Sequence, residues 1–289
     1  MFLVNIKYLL QLLRPKHWIK NFFVFIPVFI SGNFFDLNLL KLSFYGFILF
    51  CSASSFIYVL NDLVDIKRDK LHPIKKKRPL AANLVSARQA ILMQAFLLAL
   101  ILFILKLIAF KGSIPLLIYF LINLLYSLHL KHYPVIDVLC ISTGFVLRVT
   151  LGVIVTNLDI SPWLIALTFS LCMLLALGKR RAELSESTNI TQRPSLSKYN
   201  EESLKGLQSI FVGCTIIFYV LYTIFSTSHF QQSMLFFYSS VFVIAGLSRY
   251  MLVANSESMI EEPTSIVYQD KFILSCVILW TAYLFLIIY

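Results

Sequence analysis

Nine apolar runs dominate this chain, near 19–36, 39–60, 88–110, 112–130, 134–156, 162–178, 206–226, 232–252 and 271–289. Most are long enough for a hydrocarbon core of ~30 Å. A backbone crossing hydrocarbon must satisfy its own N–H and C=O groups, and runs of this length do so as α-helices. At 59% hydrophobic and 13% charged residues, with a mean hydropathy of +0.82, the chain is too apolar for a soluble domain. The expectation is an all-α, polytopic bundle of about nine transmembrane helices, forming a single membrane domain over 1–289.

The cations orient this bundle. With the amino terminus in the cytoplasm, 21 of the 25 Lys and Arg residues fall on the cytoplasmic side, against Lys41, Lys106 and Lys111 outside and Arg148 within a span. The positive-inside rule selects that topology, with the carboxyl terminus outside and a multi-pass location in the inner, cytoplasmic membrane. The net charge of +11 then faces anionic lipid headgroups and phosphorylated substrates, and no nucleic acid is needed to explain it. Residues 1–16 intersperse Phe2, Leu3, Ile6, Leu9, Leu10 and Leu13 with polar residues, which reads as an interfacial amphipathic helix. No small-residue cleavage site follows it, so a cleaved signal peptide is not expected. Cys51, Cys140, Cys172, Cys214 and Cys276 all lie in apolar runs without metal-ligand spacing and read as core residues. The long polar segments 61–88, 179–205 and 253–270 all fall on the cytoplasmic side and are expected as loops that form the active face.

The most specific chemistry lies at 61–69, Asn-Asp-Leu-Val-Asp-Ile-Lys-Arg-Asp. If the preceding helix continues through it, Asp62, Asp65 and Asp69 stand at i, i+3 and i+7 on one helical face. Three converging carboxylates repel one another unless a cation joins them, and hard oxygen donors beside phosphate suit Mg²⁺. The Lys-Lys-Lys-Arg run at 75–78 supplies phosphate partners.

Two further groups of charges carry alternatives. Asp137 and Arg148 are 11 residues apart, on one face with Gly144 and Gly152. That face is either a close-packed seam with Arg148 paired to a carboxylate, or it turns Arg148 into a cavity toward a phosphate. The 178–184 segment, Gly-Lys-Arg-Arg-Ala-Glu-Leu, ends a helix with three consecutive cations. Either it is a solvated helix end with Lys179 and Glu183 as an i, i+4 pair, or two of the cations reach a ligand, with Lys179 and Glu183 sharing a face and Arg180 next.

Taken with the Arg78, Pro79, Leu80 turn and with Tyr126 and Lys131, the 61–69 motif resembles that of the UbiA superfamily of intramembrane prenyltransferases. The aromatic prenyltransferases of that superfamily carry a second Asp-rich motif where this chain has 178–184. The flanking segments 13–21, 61–82, 131–138, 144–148, 178–184 and 247–250 are closer to one branch, the decaprenyl-phosphate phosphoribosyltransferases. The resemblance runs in order over most of the chain.

It implies a Mg-dependent pentosyltransferase that moves the 5-phosphoribosyl group from phosphoribosyl diphosphate to a polyprenyl phosphate for cell-wall precursor biosynthesis. Asp62, Asp65 and Asp69 would be both catalytic and metal-binding. Asn61 would orient them, and Arg68, Arg78 and Lys131 would meet the pyrophosphate. Lys179, Arg180 and Arg148 would hold the 5-phosphate or the lipid phosphate, with Glu183 and Tyr126 in the substrate site. Lys16, Lys20, Trp18 and Asn21 would stand where a lipid headgroup enters, although Trp18 alone reads as an interfacial anchor. Membrane lipid is a further partner, and a homo-oligomer stays open. Two alternatives remain, a prenyl diphosphate:aromatic acceptor prenyltransferase of the same fold and a non-enzymatic polyprenyl-lipid binding or transport protein.

Overall fold

A computed structural model describes residues 2–72, 75–159, 161–185, 195–225, 234–255 and 263–289. Among them every regular element is helical. Among the described residues seven helical spans, one of them Met234–Asn255 made of two consecutive helices, are long and apolar enough to cross a membrane, so the chain is a multi-pass helical membrane protein. Two of the nine expected spans differ from expectation. The 19–36 run forms a 3₁₀ stretch, Pro15–Phe25, followed by a five-residue helix, and the 112–130 run forms a helix of only 16 residues, about 24 Å at 1.5 Å per residue. Apolar composition marks residues that avoid water and does not fix how they wind.

The chain groups into two compact units. The first holds residues 1–29, 34–127 and 147–157. It begins with α1 (Phe2–Leu13), the 3₁₀ stretch and α2 (Ile26–Ile30) and continues through α3 (Leu37–Val64), α4 (Ile66–Leu71), α5 (Ala87–Leu107) and α6 (Ser113–Leu128). Asp36 starts α3 by accepting from the N–H groups of Asn38 and Leu39 at 2.8 and 3.2 Å, which satisfies donors a first turn cannot. Ser86 and Gln89 form a capping box at the start of α5. α3 packs on α5 and on the 3₁₀ stretch. Its small residues Gly46, Ser52, Ala53, Ser54 and Ser55 are buried and allow a close approach. α7 (Ile136–Thr156) gives its second half to this unit, and there Gly152 touches the backbone of Val24 so closely that a Cβ would collide with the Val24 carbonyl oxygen. In α1, Leu12 is fully buried and clusters with Val59, Leu80, Val85 and Ala90, so α1 is docked on the unit.

The second unit holds residues 30–33, 128–146 and 158–289. After the first half of α7 it contains α8 (Pro162–Ser185), α9 (Glu201–Phe225), α10 (Met234–Tyr238), α11 (Ser240–Asn255), α12 (Pro263–Gln269) and α13 (Lys271–Ile288). α8 packs along α9, and α11 packs on α13 and α9. Two apolar clusters hold it together, one around Val138, Met173, Leu177 and Leu204, the other around Leu174, Val212, Tyr250 and Ile273.

The expected loops are largely helical. Residues 61–64 end α3, with α4 and a 3₁₀ turn at Lys75–Lys77 following, and the cations at 179–181 lie inside α8. In the 179–205 and 253–270 segments, 186–194 and 256–262 lie outside the described residues.

Candidate functional site

The acidic motif of the first unit is built where α3 breaks into α4. Asp65 is the break, at φ −91° and ψ 6°, a sparsely populated backbone region common at functional sites. Its N–H nevertheless donates to the Asn61 carbonyl, and the Asp69 N–H donates to the Asp65 carbonyl, at 2.9 and 2.8 Å. The helical phase therefore survives the break. Asp62 and Asp69 are both 2% exposed, and both accept from the same nitrogen, Arg78 Nη1, at 3.0 and 2.7 Å. Arg14 Nη2 adds a second ion pair to Asp62 Oδ1 at 2.6 Å. Buried carboxylates require such partners, because an unpaired charge removed from water is costly.

Arg14 is held as firmly as it holds. It sits in the left-handed region, at φ 51° and ψ 58°, between α1 and the 3₁₀ stretch, a conformation disfavoured for a residue that is not glycine. Its guanidinium lies 4.6 Å from the centre of the Tyr58 ring. Trp18 Nε1 donates to Ser55 Oγ at 3.0 Å, and Ser55 Oγ donates to the Leu13 carbonyl at 2.9 Å, which pins the turn to α3. Asn61 accepts from Ser127 Oγ at 3.2 Å and lines a cavity of about 190 Å³ with Ile57, Phe120 and Asn123.

The expected nest of three carboxylates is not drawn together. Among the described residues no three His, Cys, Asp or Glu side chains are grouped to hold a metal ion. Asp65 is half-buried, while the arginines hold Oδ1 of Asp62 and Oδ2 of Asp69. The donor set still fits a hard cation. One positively charged nitrogen lies within 3.0 Å of an oxygen from each of Asp62 and Asp69, so the pair already accommodates a cationic group between its carboxylates, and those oxygens are the donors Mg²⁺ prefers.

The remaining expected site residues of this unit scatter. Lys16, Lys20 and Arg68 are exposed and Tyr126 is half-buried. Arg148 is buried. Its Nε donates to Asn21 Oδ1 at 2.7 Å, its Nη2 to the Tyr119 hydroxyl at 3.3 Å, and the guanidinium lies 5.1 Å from the centres of the Phe50 and Tyr119 rings. These contacts include an amide, a phenol and two ring faces, where the seam alternative expected a carboxylate.

In the second unit Arg180 is 1% exposed and bonds Asp137 Oδ2 through Nε at 2.7 Å and Glu183 Oε2 through Nη1 at 2.8 Å. The Tyr199 hydroxyl donates to Asp137 Oδ1 at 2.8 Å and accepts from the Val135 N–H. Val135 has φ 67°, which a β-branched residue rarely adopts, so Tyr199 braces a strained turn. Burial, together with the charge of Asp137, pushes the Tyr199 hydroxyl pKa well up. Lys179 is exposed, and Glu183 takes its i, i+3 neighbour Arg180. Arg180, expected at a phosphate, is neutralised by two carboxylates. Lys131 is half-buried beside the α7 entry.

Sequence reasoning passed over Arg14 as a site residue, and with it Tyr199 and Arg181. Arg14 carried one signal, its place before Pro15 at the end of an amphipathic run, where a helix must break.

Residues 22–287 match the UbiA prenyltransferase family. A decaprenyl-phosphate phosphoribosyltransferase of Mycolicibacterium smegmatis is 30% identical over 220 residues, covering 74% of this chain and 69% of that protein. One from Mycobacterium tuberculosis is 27% identical over 93% of this chain and 90% of that protein. A UbiA homologue from Archaeoglobus fulgidus, solved bound to GPP and Mg²⁺, superimposes with a TM-score of 0.69 at 23% identity, over 98% of this chain and 99% of that one.

Proposed function

From its membership of the UbiA prenyltransferase family, to which this chain belongs, we propose that it transfers the 5-phosphoribosyl group from phosphoribosyl diphosphate to a polyprenyl phosphate and releases pyrophosphate. The observation that carries this reading is the meeting of Asp62 and Asp69 with Arg14 and Arg78 in one cluster. Carboxylates alone would suit a cation and arginines alone an anion. Both together suit a metal-bound diphosphate, with planar guanidinium forks for the phosphate oxygens.

Asp62, Asp65 and Asp69 are the residues that would hold Mg²⁺, which when bound neutralises charge growing on a leaving pyrophosphate. Arg14 and Arg78 would meet the diphosphate oxygens. Asn61, fixed by Ser127, orients the first carboxylate. The nucleophile is an oxygen of the lipid phosphate, already anionic at neutral pH, so no general base is needed and attack opposite the leaving group inverts the anomeric centre. Positioning supplies the rest of the acceleration.

The branch is favoured over an aromatic prenyltransferase by 178–184, where three cations and one acid stand and the acid is used internally to neutralise Arg180. The relatives named as phosphoribosyltransferases support the same choice. The cation distribution supports a cytoplasmic active face in the inner membrane. The experiment is pyrophosphate release by purified protein in nanodiscs. Release from phosphoribosyl diphosphate should require both Mg²⁺ and polyprenyl phosphate. Equal release without the lipid would refute the transfer.

A further inference from the structure

The second unit contains an open cavity of about 330 Å³ lined by α8, α9, α11, α12 and α13, with a wholly apolar wall. Packed interiors leave few voids larger than a water molecule. An apolar cavity of about 150 Å³ stays dry and takes benzene, so one of this size suits a hydrocarbon segment of roughly a dozen carbons. It is reachable from the flank of the unit, since Val277 on its rim is 42% exposed. Gly246 forms part of the wall, and a Cβ there would meet only Cys276 Cβ at an ordinary 3.4 Å. Packing does not demand glycine at this position; the missing side chain leaves room in the cavity.

A cation lies in line with it. Leu174 and Arg181 are seven residues apart on one face of α8, as are Gln208 and the cavity residue Thr215 on α9. Arg181 therefore stands about 10 Å along α8 from the Leu174 level. Arg181 Nη1 donates to Asn255 Oδ1 at 2.8 Å and Gln208 Oε1 at 3.4 Å, both neutral. Among the described residues its carboxylate contact is Glu201 at 3.6 Å, which Lys205 holds at 2.8 Å. Neighbouring Arg180 meets two carboxylates at 2.7 and 2.8 Å, whereas among the described residues Arg181 meets one, at 3.6 Å. An apolar slot aligned with an incompletely neutralised guanidinium matches an amphiphile with an anionic head.

We propose that this cavity and Arg181 form the binding site of a phosphate-bearing polyprenyl lipid, its proximal isoprenoid segment in the cavity and its phosphate on Arg181. The proposal rests on the reading that polyprenyl phosphate is the acceptor. The probe is a C15 prenyl monophosphate with a diazirine in its tail, photolysed on the full chain in nanodiscs, with labelled peptides mapped by mass spectrometry.

Label is expected on the Gly246 and Val277 peptides, displaced by excess polyprenyl phosphate and not by phosphatidylglycerol. Gly246→Phe, which fills the cavity, and Val277→Trp, which blocks its rim, should each cut labelling at least tenfold, while Gly246→Ala keeps it. Arg181→Gln should raise the concentration needed for displacement about tenfold and leave labelling by an uncharged diazirine alkane unchanged. Label elsewhere in the chain, or equal displacement by phosphatidylglycerol, overturns the proposal, the latter making the cavity a slot for bulk lipid. Specific labelling without any phosphoribosyl transfer by the wild type would keep this lipid site and remove the proposed activity. Transfer with the label elsewhere would do the reverse.

Discussion

Arg180 Nε lies 2.7 Å from Asp137 Oδ2, and the two side chains are 1% and 0% exposed. Of three consecutive cations on α8, helical phase sends this one inward, where Asp137, Glu183 and Tyr199 gather around it. Breaking such a pair strands a buried charge, whereas replacing both members with apolar groups is often neutral. Asp137→Ala should therefore lower stability by about 3 to 5 kcal/mol, read as thermal unfolding in detergent. The double variant Asp137→Leu with Arg180→Met should recover part of that loss. A double variant less stable than Asp137→Ala would contradict the assignment of Arg180 as a structural cation.

Asp65 separates metal binding from folding. Asp62 is held by two arginines, so Asp62→Asn disturbs an ion-pair cluster as well as a proposed ligand. Asp65 is only half-buried and its place in the proposed chemistry is as a ligand. Asp65→Asn should lower turnover at least about 100-fold with an unchanged melting temperature, and should weaken Mg²⁺-dependent binding of phosphoribosyl diphosphate measured by calorimetry. Near-normal turnover in this variant would exclude Asp65 from the metal set.

Arg14 is expected to weaken donor binding when removed. Arg14→Gln gives up a charged hydrogen bond of about 1.5 to 3 kcal/mol, or about 10- to 100-fold in affinity. Equilibrium binding of phosphoribosyl diphosphate would show this, and Arg14→Lys should fall between the two because it keeps the charge without the fork. Equal affinities in all three proteins would confine Arg14 to holding α1 in place.

Asp270 caps α13 through the Ile273 N–H at 3.0 Å and pairs with Arg249 at 2.9 Å. The Arg249 hydrogen bond, followed by that N–H, holds the Asp270 carboxyl below the usual carboxylate pKa. A folded-state pKa below the unfolded value of about 3.9 means that the contribution is fully present above that value and is lost as the pH falls through the lowered one. The pair is solvent-screened and contributes no more than about 1 kcal/mol. Asp270→Asn should melt slightly below the wild type at pH 7 and match it under strongly acidic conditions. A difference that persists or grows on acidification would contradict the pairing.

The acidic motif was legible because seven residues are close to two helical turns and the i to i+4 bonds carry that phase across the break at Asp65. Its partners were harder to read. Arg78 stands nearby in a basic run, but Arg14 is 48 residues from Asp62, and no local periodicity links them. The sequence likewise showed that 179–181 could not all share one face without showing which cation met Asp137, since that depends on how α8 packs against the start of α7. The helical class followed from hydropathy, whereas the winding of 15–30 did not. Pro15 and Pro27 interrupt backbone donors there, and the side chains of Val24 and Asn21 are committed to the core and to Arg148.

The central claim is a transfer of phosphoribose to lipid, and carbon label in the ribose of phosphoribosyl diphosphate tests it most directly. Purified protein with Mg²⁺, polyprenyl phosphate and 4-hydroxybenzoate present together should move that label into the organic phase as a polyprenyl-linked, acid-labile product, with matching pyrophosphate release. Asp65→Asn should leave the label in the aqueous phase. Label that stays aqueous with the wild type, while a prenyl group from added prenyl diphosphate appears on 4-hydroxybenzoate, would contradict the phosphoribosyl transfer and leave the membrane fold with a different chemistry.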